Sequence, residues 1–452
     1  MFWHDLRLAW QSVQLSAFIS AVIVAVMAVG IGTSVVAITL YHAKAGNPIW
    51  WKNDVLFRPL LDSRPWGQDM EVGRGGGDPP YVMIYRDALA LYQSNIPERS
   101  VMMLVSVGSV EPTSAGGRPI QRTVRLTTRE FFPMFDVPFL YGHDWSDSDD
   151  ESPSQVVVIT RYLSERLYGA GNSVGRSLTF NGQQFTVIGV IDHWLPVPRF
   201  YDVGNDFGPA NDLFVPFKWA SSLTDLQFPG YCQETRIEVR TFKEIASGDC
   251  IAIALWTELA NRRQHDDYWQ FMDNYSRAQI QAGRFVRPVN NRLANVSTWL
   301  EMNDVVGNES RFLVILALVF LGICILNTTG LLLAKFLSFA PITGLRRALG
   351  ATRADVMRQH LLEVAILGVA GGVIGIGLAA IGLRLIRVFL LWQSTMKNDS
   401  PDFGRVAQSL SHMDWKIVLL AVGMSFVAGI LSGIYPAWRV GRLAPATFLK
   451  IQ

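Results

Sequence analysis

GAGNSVGRS (169–177) comes nearest, by residue type, to an active site. The G-x-x-x-x-G-K-[ST] pattern of a phosphate loop fails twice, because five residues separate Gly169 from Gly175 and Arg176 stands where the lysine is needed. As a nucleophile elbow, Gly171, Ser173 and Gly175 match the letters, but an elbow needs a strand before it and a helix after it. Here a helical pattern precedes and a strand pattern follows, so the glycines read as a tight helix-to-strand turn. DWSDSDDESPS (144–154) has acids enough for a cation and reads as a solvated turn. The seven histidines include no H-E-x-x-H and no paired ligand spacing, and no cysteine pair has zinc spacing. His4, His42, His143 and His412 fall near membrane edges or loops, where polar packing accounts for them. No catalytic, cofactor-binding or metal constellation emerges, and the chain is not expected to be an enzyme by itself.

A different kind of pattern, TGLRRALGATRADV (343–356), lies between the two apolar runs FLVILALVFLGICILNTTGLLLA and VAILGVAGGVIGIGLAAIGL. Its surroundings explain why it stands out. Half of the 452 residues are hydrophobic and only 17% are charged, less charge than a soluble domain of this size carries. A net charge of +2 gives no footing for nucleic acid. Crossing a bilayer takes about 20 apolar residues, and four stretches qualify: 17–41, 312–334, 364–383 and 417–435. Arg384 and Arg387 close the third, where long basic side chains reach the interface. Arg7, an apolar run and Ala43-Lys44-Ala45 imitate a secretory signal, but the run is far longer than a signal core. It is expected to be an uncleaved anchor.

Lys335, Arg346, Arg347, Arg353 and Arg358 fall between spans two and three, and Arg439, Arg442 and Lys450 in the tail. Between spans three and four, Lys397 and Arg405 are offset by Asp399, Asp402 and Asp414. The positive-inside rule therefore places both termini and the 343–356 segment in the cytoplasm. Residues 42–311 are then outside. The expected fold is an α+β membrane protein, with four transmembrane helices and a large mixed α/β periplasmic domain between the first and second. Its parts would be 1–41, 42–311 and 312–452. Within the outer domain, QVVVIT (155–160) suits a buried strand, RYLSERLYG a helix, and SLTF and QQFTVIGVI a hairpin closed by Asn181-Gly182. DLFVPF (212–217) reads as a strand, IAIALWTELANRR (251–263) has helical spacing, and GRGGGDPP (73–80) reads as a loop. Cys324 lies in an apolar span as a small core residue. Cys232 and Cys250 lie outside, where an oxidising compartment would let them form a disulfide; spacing does not decide it.

In GLRRALG, good helix formers end at Gly350, which suits a C-terminal cap. Thr352 and Asp355 then have capping-box spacing. A short helix, a tight turn and a fresh helix entering the third span are predicted. The short helix would lie along the membrane surface and present Arg346 and Arg347 either to a docked protein or to anionic lipid head groups.

GLRRALGA resembles the cytoplasmic motif of MacB/FtsX-type ABC transporter permeases, the mechanotransmission family. MFWHDLRLAWQSV with AVGIGTS resembles the family's N-terminal helix and first span. FFPMFDVPFLYGHDW, QVVVITRYLSERLYG, NSVGRSLTFNGQQFTVIGVI and DLFVPF are similar to successive blocks of its periplasmic core domain, and SGIYPAWRVGRLAPATFLK to its C-terminal end. The likeness is weakest from about residue 227 to 305. It implies a permease that works in pairs on cytoplasmic ATPase subunits, in the bacterial inner membrane. Gly344, Leu345, Arg346, Arg347, Ala348, Leu349, Gly350 and Ala351 would couple to the ATPase, helped by the N-terminal helix around Asp5 to Trp10. No ATP-binding motif is present, so ATP and magnesium are expected in a separate partner chain. A periplasmic adaptor protein and an outer-membrane channel are further partners in the family's tripartite pumps. The implied function is export of a peptide, antibiotic or similar amphiphile. Release of lipoproteins, or signalling to a cell-wall hydrolase without transport, are alternatives that the resemblance leaves open. One departure stands out: the family commonly has R-E-I-G before the L-R, where this chain has Pro341-Ile342-Thr343-Gly344. Either the chain is the diverged member of a heterodimer or the motif has drifted without consequence.

Overall fold

The computed structural model describes residues 2–63, 77–111, 118–202, 211–223, 231–232, 241–248, 250–305, 307–348, 350–396 and 415–441. Outside them lie the first half of GRGGGDPP (73–76), the basic and acidic residues at 397–414, and Leu349, Arg442 and Lys450. The side chains of 2–6, 231–232, 346–348, 393–396 and 441 also fall outside. The chain forms two compact units, Met1–Gly46 with Val306–Gln452, and Asn47–Val305.

The first unit opens with α1 (Phe2–Leu15), a break at Ser16, and α2 (Ala17–Ala45). The second unit follows in chain order: β1 (Leu56–Leu60), β2 (Met83–Ile84), α3 (Tyr85–Tyr92), β3 (Arg99–Glu111) and β4 (Ile120–Thr127). Then come α4 (Phe131–Met134), β5 (Phe139–Gly142), α5 (Asp147–Asp150), β6 (Val156–Thr160), α6 (Arg161–Tyr168), β7 (Ser177–Phe180) and β8 (Gln183–Ile191). It ends with β9 (Leu213–Pro216), β10 (Tyr231–Cys232), α7 (Phe242–Ser247), β11 (Cys250–Glu258), α8 (Arg262–Gln281), β12 (Arg292–Asn295) and α9 (Val296–Met302). The first unit resumes with α10 (Gly307–Ser338), α11 (Ala340–Ala348), α12 (Arg353–Met396) and α13 (Trp415–Gly441).

The strands form one mixed sheet in the order β12-β1-β11-β3-β4-β9-β6-β8-β5, with β2 and β10 on β11 and β7 bridging β3 and β8. Pairs β4–β9 and β6–β8 are parallel. The hairpin expected at Asn181-Gly182 is there: Phe180 pairs with Gln183, and both turn residues have positive φ, 49° and 74°. That backbone matches the right-handed twist of the flanking strands. Thr160 caps α6, and the Gly169–Gly175 stretch is the helix-to-strand turn, ruling out the elbow order. The acidic run is a helical turn capped by Ser146, with Arg129 on Asp144 and Asp147.

One expectation is overturned. IAIALWTELANRR is not helical throughout: residues up to Glu258 are strand β11, and α8 begins only at Arg262. All nine β11 residues are buried, because both faces of this central strand are covered. Ile253 and Leu255 join one apolar cluster, Ala254 and Trp256 the other. A strand buried on both faces loses the polar alternation that would reveal it, and its apolar run imitates a helix. Inside the second cluster, Arg58 lies over the Trp299 ring at 4.2 Å and donates to the Tyr81 and Tyr201 carbonyls. Burial pulls its guanidinium down to about 9.

The first unit packs through small residues. A Cβ on Gly371 would lie 2.9 Å from the Met27 Cβ, and one on Gly375 3.0 Å from the Ala28 carbonyl. Lipid tails are as apolar as leucine, so helices in a membrane associate by such close backbone approach. Four helices are long and apolar enough to cross a bilayer: α2, α10, most of α12, and α13. α12, with 44 residues, is about 66 Å long at 1.5 Å per residue, over twice the hydrocarbon thickness of ~30 Å.

Two predictions concern the second unit. Asp150 accepts from Trp145 Nε1 at 2.7 Å and the Arg129 amide at 2.9 Å, yet burial lifts its carboxyl to about 6. A carboxyl raised in the fold stabilises it most below the unfolded value of 3.8, and that contribution is lost as pH rises through about 6. Asp150→Asn keeps the acceptor and drops the charge. It should stabilise the protein at pH 7.5 by about 1 kcal/mol, allowing for solvent screening, and far less at pH 4, as denaturant melts at the two pH values will show. Cys324 is a free, buried thiol, whereas Cys250 is disulfide-bonded and has Cys232 as its Cα partner across β10–β11. A Cys232–Cys250 bond is expected: a non-reducing digest should yield the linked peptide pair, and Cys250→Ser should cost about 3 kcal/mol for a loop of this length.

Candidate functional site: the helix between the second and third spans

Only Phe339 separates α10 from α11. Its carbonyl accepts from the Thr343 amide at 3.1 Å and the Thr343 hydroxyl at 3.2 Å, which closes the first turn of α11. Pro341 is the second residue of that helix. There its missing N–H leaves no intrahelical bond unmade, so the departure from R-E-I-G is accommodated as a helix start. Gly350 has φ +107°, a backbone that residues with a Cβ rarely adopt, and it ends the segment. Thr352 then caps α12. Its amide and hydroxyl donate to Asp355 Oδ2 at 3.1 and 2.6 Å, and the Asp355 amide donates back to Thr352 Oγ1 at 3.2 Å. The helix, turn and fresh helix predicted from the motif are all present.

The residues of the motif are presented unevenly. Ile342 and Leu345 are more than half exposed, Gly344 and Ala351 are partly buried, and Gly350 is exposed. Arg346, Arg347 and Ala348 lie on α11 by their backbone, with side chains outside the described residues, as is all of Leu349. α1 packs along α12, with Trp10 exposed and Ala9 fully buried; the Asp5 side chain is again outside the described residues.

Sequence reasoning put Lys335 in the basic loop between the spans. It is instead inside α10 and fully buried, with Nζ 2.5 Å from Glu363 Oε1, itself fully buried on α12. Lys335 also donates to Ser20 Oγ on α2 at 2.8 Å, and Ser12 Oγ on α1 donates to Glu363 Oε1 at 3.0 Å. His360 lies tilted against Phe336, with ring centroids 4.1 Å apart, and its Nδ1 is 3.7 Å from Glu363 Oε2. A signal was there to read: one base ends the second apolar run, and one acid precedes the third. Charge counting for topology treats such a lysine as a loop residue and hides the pairing. Among the described residues no group of three or more metal-ligating side chains occurs.

The architecture is that of a four-span membrane protein with a folded α/β domain inserted after the first span. The model of the MacB-like periplasmic core domain matches residues 17–247, and that of the FtsX-like permease C-terminal region matches residues 312–445. The chain belongs to the MacB/FtsX-type family of ABC transporter permeases. Among its relatives, the uncharacterized ABC transporter permease YknZ of Bacillus subtilis is 23% identical over 69% of this chain and 65% of its own length. The macrolide export ATP-binding/permease protein MacB of Neisseria meningitidis serogroup A is 25% identical over 75% of this chain, which spans 46% of that protein. The crystal structure of the periplasmic region of MacB from Actinobacillus actinomycetemcomitans aligns with 56% of this chain and 94% of its own, at 12% identity and TM-score 0.37.

Removing the cap should loosen the start of α12. Thr352→Ala is expected to cost about 1 kcal/mol, so amide exchange at Asp355 and Val356 should quicken about fivefold. Thr352→Ser should exchange like the wild type.

Proposed function

We propose that this chain is a permease subunit that carries the stroke of a separate cytoplasmic ATPase to the α/β domain on the far side of the inner membrane, driving export of a peptide, antibiotic or similar amphiphile. The observation that carries the proposal is α11 itself: a short helix with Ile342 and Leu345 exposed, joined to α10 through Phe339 alone and followed by the Gly350 turn and the Thr352 cap of α12. A rigid element held at two points can be pushed, and the push reaches both spans. GLRRALGA covers this helix from Gly344 onward and continues to Ala351. Both termini and α11 are cytoplasmic in this reading, by the arginines Arg346, Arg347, Arg353 and Arg358 between spans two and three.

In this reading ATP and magnesium are held by the partner ATPase, two copies of which would sit beneath two permease subunits. The second permease is either another copy or a sister chain that keeps the acidic form of the motif. An adaptor protein and an outer-membrane channel would complete the export path, and membrane lipid surrounds the spans. Export is favoured over lipoprotein release or signalling to a wall hydrolase because the outer domain resembles the export branch and is large.

The basic pair on α11 is the test. With the tagged chain purified from its own membranes in mild detergent, an ATPase should be retained. Arg346→Glu with Arg347→Glu should lower the amount retained at least tenfold, because reversed charges cannot pair with an acidic groove. Retention at the wild-type level would make the pair a lipid anchor, and absence of any ATPase from the wild-type preparation would remove the basis of the coupling reading.

A further inference from the structure

Lys335 and Glu363 meet where four helices converge. Through Ser12, Ser20, Lys335 and Glu363, polar contacts at one buried point join α1, α2, α10 and α12. Both charged side chains are fully buried. The α1–α2 elbow is bonded to the same point: Ser16 Oγ donates to the Ser12 carbonyl at 3.0 Å, and Ser20 Oγ to the Val13 carbonyl at 3.3 Å. The pair also brackets the coupling segment, with Lys335 five residues before Ala340 and Glu363 ten residues after Arg353.

Such a pair is a poor device for stability alone. Two charges taken out of solvent recover little more than their desolvation cost, and a well-packed apolar pair of the same volume commonly holds as well or better. What the pair does supply is a steep penalty for separation, because parting it leaves two uncompensated charges in an apolar surrounding. An apolar contact slides; a buried ion pair is either closed or broken.

We infer that the Lys335–Glu363 pair is a positioning joint, which locks the bases of α10 and α12 to each other and to the α1–α2 elbow, so that displacement of α11 moves all four helices together. Without the joint, a push on α11 would splay α10 from α12 and be absorbed locally. Ser12 and Ser20 carry the same displacement to the N-terminal helix, so α1 and α11 act as one platform. What that motion serves rests on the coupling reading above; that the four helix bases are locked together does not.

The test reads the joint directly in the full chain, reconstituted in lipid nanodiscs without any partner. Spin labels are placed in pairs, Leu326→Cys on α10 with Val373→Cys on α12, and Trp10→Cys on α1 with Val373→Cys, all exposed positions, with Cys324→Ser to leave no free native thiol. Wild-type background should give one narrow distance distribution for each pair. Glu363→Gln and Lys335→Met should each broaden it at least twofold, and the exchanged double variant Lys335→Glu/Glu363→Lys should return it to near the wild-type width. The apolar double variant Lys335→Met/Glu363→Leu separates a joint from ordinary packing and should fold with an unchanged melting temperature but stay broad. A wild-type width in Glu363→Gln, or in the apolar double variant, overturns the joint. Neither outcome depends on ATPase retention, so this inference and the coupling reading fail separately.

Discussion

Close approach of backbones along α12 is the constraint on which the membrane unit depends. A single long helix lies against α1, α2 and α13 together, which it can do only where its inward stripe has no side chains to hold neighbours off. Gly371 and Gly375 face α2, and Gly368 faces Gly429 on α13. In lipid there is no hydrophobic drive to press helices together, so van der Waals contact and a few hydrogen bonds must supply the cohesion. Larger residues at these positions would open the bundle around its longest member.

Within that bundle the buried polar groups are concentrated rather than scattered. Ser34 donates to the Gly30 carbonyl on its own helix and to the Ala317 carbonyl on α10, as small hydroxyl residues do in membranes. The charged cluster at Lys335 and Glu363 is another matter, since full charges in such a place are expensive and persist where something needs them. It stands beside the segment that the family motif marks, although the motif itself does not include it. The motif therefore marks only one of two neighbouring features: a short helix with exposed Ile342 and Leu345, and the buried Lys335–Glu363 junction beside it.

The α/β unit obeys different physics. Its sheet is covered on both faces, with one apolar cluster on each, and several of its buried charges are paired inside the domain. Arg122 meets Asp212 at 3.1 Å, and Asp87 is held by Arg284 and by Tyr275 at 2.7 Å. The first pair holds the residue before β9 to β4, and the second joins α3 to α8 and the turn after it.

Much of the protein is legible in local sequence, because the deciding physics there is local. Apolar runs of bilayer length name the spans, Asn181-Gly182 names a hairpin through its turn geometry, and Gly350 with Thr352 and Asp355 names the end of one helix and the start of the next. Each signal depends on residues within a few positions of one another. β11 was misread because burial on both faces is a property of its neighbours in the sheet, which lie far away in sequence. Lys335 was misread for the same reason: alone it is a basic residue at the end of a span, and only packing brings it to an acid 28 positions later. Local patterning sets where the chain must be helical in lipid and where it must turn. Tertiary structure alone decided which charges are buried together, since that depends on the face each helix turns inward, and the glycine contacts between helices decide the face.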